Sequence, residues 1–145
     1  MITGIIIPFY NEEQRLNKNT LLKFVRQDHE YHLCLVNNGS KDMTIKFLKE
    51  VQSVNEYKVS IVDLRRKTSK AGAVRAGVRY LENYKEIDYV GFVDAELILD
   101  QEDIKDFLDA IKVNDQLEFI FGSRTKNASD IIDKGKIQAA IVKLS

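Results

Sequence analysis

This chain has little of what staples small folds or binds soft metals: one cysteine, one proline and two histidines in 145 residues. Cys34 cannot form an internal disulfide, and its place inside an apolar run makes it a buried core thiol. His29 and His32 flank the same run with no Cys/His cluster near them, which argues against a zinc site. An excess of one charge is also missing, since Lys+Arg 22 balances Asp+Glu 22. A balanced chain offers no electrostatic footprint for nucleic acid or a membrane. No apolar run approaches bilayer length. The apolar start is short and runs straight into Pro8, so it does not read as a signal peptide. The expected location is cytoplasmic. No repeat or low-complexity linker interrupts the sequence, and 44% hydrophobic with 30% charged residues suits one globular domain, 1–145, with a real core.

Several phosphate and nucleophile signatures are absent too. The first apolar run is not followed by Gly-x-Gly-x-x-Gly, which argues against a dinucleotide site. There is no Gly-x-x-x-x-Gly-Lys-Ser/Thr and no Gly-x-Ser-x-Gly elbow.

What is present is an alternation of apolar runs and amphipathic stretches. Strands are expected at Ile2–Ile7, Leu33–Val36, Lys58–Leu64, Tyr89–Val93 and Glu118–Phe121. Pro8 is expected to end the first, because proline cannot donate to a ladder. Helices are expected within Arg15–Gln27, after a cap at Ser40 or Asp42, over Ala71–Asn83, and after Asp100 with Ile104, Phe107, Leu108 and Ile111 on one face. The tail from Ser129, with Ile137, Ala140, Ile141 and Leu144 at helical spacing, reads as a last helix. Such alternation implies an α/β fold: a three-layer α/β/α arrangement around a mostly parallel, Rossmann-like sheet.

Ligands of such sheets sit outside the strands' carboxyl ends, where strand order reverses. The polar clusters fall there: Tyr10–Glu12, Asn37–Ser40, Arg65–Lys70, Asp94–Glu96 and Gly122–Arg124. Asp94 and Glu96 stand one residue apart, so in an extended chain both carboxylates point to one side. Hard oxygens so placed suit Mg²⁺ or Mn²⁺, which keeps open positions for substrate phosphates. The bland reading is an acidic loop capping the next helix. Tyr10 equally suits a partly buried core position, Arg65, Arg66 and Lys67 a solvated loop, and Arg75 and Arg79 an exposed helix face. Taken together, the edge offers a ring to pack on a base, amides to read it, cations, and a paired carboxylate for a metal bridging two phosphates. A nucleoside diphosphate needs those groups.

The motifs resemble, in order, those of the inverting glycosyltransferases of family 2, which have the GT-A fold. Ile5-Ile6-Ile7-Pro8-Phe9-Tyr10-Asn11-Glu12-Glu13 is similar to that family's opening strand and loop. Val36-Asn37-Asn38-Gly39-Ser40-Lys41-Asp42-Met43-Thr44 is similar to its Val-Asp-Asp-Gly-Ser-x-Asp-x-Thr segment. Lys70-Ala71-Gly72-Ala73-Val74-Arg75-Ala76-Gly77 is similar to its Gly-Lys-Gly-x-Ala-x-Arg-x-Gly helix start. Asp94-Ala95-Glu96 takes the place of its Asp-x-Asp metal motif, and Gly122-Ser123-Arg124 is similar to a signature of the dolichyl- and polyprenyl-phosphate branch.

The resemblance implies a glycosyltransferase that moves a sugar from a UDP- or GDP-linked donor, with inversion, to a polyprenyl phosphate or a glycan. It implies Pro8, Tyr10, Glu12, Val36 and Asn38 around the nucleoside, with Asp94, Ala95 and Glu96 at the diphosphate. Asp94 and Glu96 would hold Mg²⁺ or Mn²⁺, and Asp94 and Arg124 would serve catalysis. Asn38 departs from the family's Asp, and Glu96 from its second Asp. Family members are longer, so the chain is expected to lack the acceptor-binding part. An exposed face could then dimerise, and a lipid acceptor would bring the protein to the cytoplasmic membrane surface. Two other readings stand beside this one. The first is a nucleotide-sugar-binding module without turnover. The second is a receiver domain using Glu12-Glu13, Asp63 and Lys126.

Overall fold

The computed structural model describes residues 2–16, 18–26, 30–95, 119–123 and 137–143, the last two segments as backbone. The elements are β1 (Ile2–Phe9), α1 (Lys18–Arg26), β2 (Tyr31–Asn38), α2 (Thr44–Val54), β3 (Val59–Leu64), α3 (Lys70–Leu81), β4 (Ile87–Val93), β5 (Phe119–Ser123) and β6 (Ile137–Lys143). They form one six-stranded sheet of order β3-β2-β1-β4-β6-β5. The first four strands pair in parallel, and β6 is antiparallel to both β4 and β5.

The central strands are apolar on both sides, and their period of two sorts side chains into two cores. Ile5, Ile7 and Phe9 of β1, Leu33 and Leu35 of β2, and Tyr89 and Val93 of β4 pack with Leu21, Phe24 and Val25 of α1 and Leu48 and Val51 of α2. Ile6, Cys34, Val36 and Val90 face the other way, toward Ala73 and Leu81 of α3. Burying each large aliphatic side chain contributes about 1.5–3 kcal/mol, so this two-sided sorting fixes the register of the strands. Helix α3 lies close because it can: a Cβ on Gly77 would stand 2.7 Å from Ile6 Cγ2. Among the described residues, no helix is long and apolar enough to cross a membrane.

Three expectations need correction. The tail over Ile137–Lys143 is a strand, not a helix, and it lies between β4 and β5 with Val90 opposite Val142 and Gly91 opposite Ile141. Its apolar run, Ala139 to Val142, fits a helical stripe and a central strand equally well, and only long-range pairing decides. Strand β1 does not stop at Pro8 but continues to Phe9. Its pairing with β4 ends at Ile6 and Phe92, so Pro8 lies where β1 is partnered on the β2 side alone, opposite Val36. Finally, the residue capping α2 is Met43, with no side-chain bond. The expected helix after Asp100 lies outside the described residues.

Candidate functional site

In the order β3-β2-β1-β4, the chain leaves β1 to one side for β2 and β3 and returns to the other side for β4. The switch point is therefore the gap between β1 and β4 at their carboxyl ends, where open α/β sheets bind ligands. A cleft of about 470 Å³ opens there. Pro8, Phe9, Tyr10 and Glu12 line it from the end of β1, Asn38 from the end of β2, and Asp94 and Ala95 from the end of β4. Lys67, Thr68, Ser69 and Lys70, between β3 and α3, close the remaining side.

Each wall has a local cause. The turn after β1 reverses at Asn11, which takes φ 46°. It is then stitched to the turn after β2. Asn11 N–H donates to Ser40 Oγ (3.0 Å), Glu12 N–H to Thr44 Oγ1 (3.0 Å) and Glu13 N–H to Asp42 Oδ2 (3.2 Å). In return, Lys41 N–H donates to Asn11 Oδ1 (2.9 Å) and Met43 N–H to Glu13 Oε2 (3.3 Å). Desolvation works against the charge of the Asp42 carboxyl. Bonds from the Thr44 hydroxyl, the Thr44 amide and the Glu13 amide prevail and hold its pKa below the ordinary value. Glu13 and Asp42 thus act as clasps between two loops.

The basic loop is as firmly seated. Asn38, 5% exposed, donates from Nδ2 to the Thr68 carbonyl (2.8 Å) and accepts the Thr68 N–H at Oδ1 (2.9 Å). Gly39, at φ +67°, lets the loop pass so close that a Cβ would stand 2.3 Å from Lys67 N. Ser69 caps α3, its Oγ accepting from Gly72 N–H at 3.0 Å. The positive end of α3 consequently borders the cleft.

Two lysines of this loop face groups on the opposite walls. Lys67 Nζ stands 3.9 Å from the centre of the Tyr10 ring. Lys70 Nζ lies 2.5 Å from Asp94 Oδ1 and 5.2 Å from the Phe92 ring centre. The site therefore combines an aromatic face, a half-buried carboxylate and two cations, a set suited to a polar, anionic ligand bearing a planar ring.

Of the residues singled out in the sequence, the structure brings Pro8, Tyr10, Glu12, Asn38, Asp94 and Ala95 together on this cleft. Val36 is fully buried in the core against α3 and does not line it. Glu96 and Arg124 lie outside the described residues. Lys67 and Lys70 were the omission. Lys67 is exposed, as a solvated loop requires, yet it faces a ring across the cleft. The nearest signal was the run of four cations within Arg65–Lys70 at a strand's carboxyl end. Asp63, which a receiver domain would phosphorylate, is part of β3, and its Oδ1 accepts from Asn37 Nδ2 at 2.8 Å.

No group of three or more His, Cys, Asp or Glu side chains that could cage a metal occurs among the described residues. A magnesium-type site does not need one: it uses one or two carboxylates and completes its shell with waters and phosphates. Asp94 fits that role, because its side chain is 26% exposed to the cleft and its Oδ1 already holds a cation, the Lys70 ammonium.

Known proteins give this geometry a setting. A glycosyltransferase of Bacillus subtilis, YkcC, is 29% identical over 144 residues, covering 97% of this chain and 42% of its own length. The undecaprenyl-phosphate 4-deoxy-4-formamido-L-arabinose transferase of Proteus mirabilis is 29% identical over 130 residues, covering 88% and 38%. This chain therefore spans less than half the length of these relatives. Among solved structures, the mannosyltransferase PcManGT of Pyrobaculum calidifontis, in complex with GDP-Man and Mn²⁺, superposes with a TM-score of 0.70 at 17% identity. That match covers 97% of this chain and 44% of the other. Identity so low speaks for the fold alone, an α/β Rossmann-like fold of the GT-A type. The sequence profile described as glycosyl transferase family 2 matches residues 4–138. With helices on both faces of the expected sheet, the cleft at its switch point and that match over nearly the whole sequence, the chain belongs to glycosyl transferase family 2.

Proposed function

We propose that this domain binds the donor of an inverting glycosyl transfer, a UDP- or GDP-linked sugar, together with Mg²⁺ or Mn²⁺. The observation that carries the reading is the pairing, across one cleft at the sheet's switch point, of the Tyr10 ring with the Asp94 carboxylate and two lysines. The base packs on Tyr10, bordered by Pro8 and Glu12. The diphosphate lies toward Asp94, Ala95, Lys70 and the positive end of α3. Asp94, with Glu96 beyond the described residues, would hold the metal, which when bound neutralises charge on the departing diphosphate. Arg124, also beyond them, would serve the donor or the acceptor phosphate.

Transfer proceeds by direct displacement. An acceptor oxygen forms a bond to the anomeric carbon as the bond from that carbon to the diphosphate oxygen breaks, and the diphosphate carries away the electron pair. A polyprenyl phosphate is the acceptor this reading favours, because a phosphate monoester, with its second pKa of about 6, is already anionic at neutral pH and needs no general base. The relative from Proteus mirabilis, named for undecaprenyl phosphate, supports that choice. Such an acceptor would hold the whole protein at the cytoplasmic membrane surface. The remaining length found in relatives would supply acceptor contacts, and a homodimer is a further expectation.

Calorimetric titration of the chain with UDP and with GDP, each with and without Mn²⁺, tests the reading. Metal-dependent binding of one nucleotide, weakened at least about tenfold by Asp94→Asn, is expected, each tenfold corresponding to about 1.4 kcal/mol. Binding of neither nucleotide, or binding indifferent to Asp94→Asn, would overturn it.

A further inference from the structure

We infer that Lys70 is the resident cation of the Asp94 carboxylate and makes a divalent ion's entry there conditional on the arrival of the diphosphate. The inference rests on the donor-site reading above and adds a rule of binding order to it.

Three observations support it. Lys70 Nζ is 2.5 Å from Asp94 Oδ1, so one oxygen of the carboxylate is already committed to a positive charge. A dication approaching that carboxylate would meet an ammonium a few ångströms away, and like charges at such range repel strongly in a half-buried setting. Next, Lys70 is the first residue of α3, where the helix dipole opposes a cation, and no acidic residue offsets it in the first turn. Local helix stability therefore gives no reason for lysine at this position, whereas the carboxylate across the cleft does. Finally, the same loop treats the other end of the cleft alike, with Lys67 Nζ 3.9 Å over the Tyr10 ring that a base would cover. Each lysine of the loop thus faces a group that the donor and its ion would engage.

A nucleoside diphosphate changes that balance. Its phosphate oxygens accept the Lys70 ammonium, which swings off Asp94 and frees the carboxylate for the ion. Metal and diphosphate are then coupled thermodynamically, and each raises the affinity of the other by the same factor. The ion alone binds poorly, so the cleft does not fill with metal in the absence of donor.

The test compares the unmodified chain with Lys70→Ala and Lys70→Arg, titrated with MnCl₂ alone, with UDP or GDP alone, and with nucleotide in saturating MnCl₂. Lys70→Ala is expected to bind Mn²⁺ alone about tenfold more tightly, a gain that Asp94→Asn in the same chain removes. The ratio of nucleotide affinities with and without Mn²⁺ should shrink by a similar factor. Lys70→Arg, which keeps the ion pair, should behave like the unmodified chain. An exposed residue at the start of a helix can be changed without unfolding the domain, and an unaltered melting temperature verifies this. If the nucleotide binds with metal but Lys70→Ala leaves Mn²⁺ affinity unchanged, the inference fails and the donor site stands. If neither nucleotide binds the unmodified chain, both fail.

Discussion

The side-chain amide of Asn38 engages both backbone polar groups of Thr68, donating to its carbonyl at 2.8 Å and accepting its N–H at 2.9 Å. A carboxylate has the same shape but no donor, so an Asp here would satisfy one bond and set a charge against the Thr68 carbonyl. Asn38→Asp is expected to lower stability by about 1–3 kcal/mol, read from the urea midpoint. Protonation restores the donor, so the folded pKa of that Asp is raised. The folded chain then binds more protons than the unfolded one, and the loss should grow as pH rises and fade toward low pH. An equal loss at all pH values would argue against the bidentate clamp.

Gly39 combines a left-handed backbone, φ +67°, with a site where a Cβ would meet Lys67 N at 2.3 Å. The conformation alone costs a residue other than glycine about 1–2 kcal/mol, and the overlap with backbone adds to it. Gly39→Ala should therefore destabilise by about 2 kcal/mol or more and loosen the 66–70 loop. Hydrogen exchange at the Thr68 amide would report the loosening, and protection equal to that of the unmodified chain would contradict it.

His32 lies buried, with Nε2 2.7 Å from Ser60 Oγ. Burial lowers its pKa from 6.5, against smaller raising effects of Glu86 and the backbone at Tyr57. The unfolded chain thus takes up a proton that the folded chain resists. The contribution is full above about pH 6.5 and is lost as pH falls through that value toward the depressed one. Melting temperatures at about pH 7.5 and about pH 5.5 should drop more for the unmodified chain than for His32→Gln, which keeps a polar partner for Ser60 but does not titrate.

Cys34 is fully buried in β2, and burial pushes its thiol pKa up to about 12. Only the thiolate reacts readily. Alkylation by iodoacetamide at neutral pH, followed by mass, should be negligible in the folded chain and complete in denaturant. Rapid labelling of the folded chain would mean that β2 opens far more often than its core position allows.

The strands were legible because their apolar runs end in polar turns, and the first four fell where the alternation put them. The tail strand was not, because Ile137, Ala140 and Ile141 satisfy a helical stripe while Phe92 and Gly91, the β4 partners of Ala140 and Ile141, lie some fifty residues away. Pro8 misled for a related reason: whether a missing donor ends a strand depends on which side has a partner. In the site, Tyr10 and Asp94 were visible because each follows an apolar run directly. The placement of Lys67 and Lys70 was not, since nothing local distinguishes a lysine facing water from one facing a ring or a carboxylate across a cleft. The resemblance puts Asn38 at the nucleoside, and the structure places it on the cleft; its bonds to Thr68, thirty residues further on, are long-range and leave no local mark in the sequence.

The sandwiching of β6 between β4 and β5 bears on how the protein is made. Strand β5 leaves the ribosome before β6, yet among the described residues β6 is its sheet partner. The parallel half, through Val93, can assemble around its two cores as it emerges, while its β4 edge stays open until residue 143 is free. Among the described residues, the four-stranded sheet therefore lacks the second partner of β4 until β6 is made, and an unpaired sheet edge is where such chains are most exposed to pairing with one another.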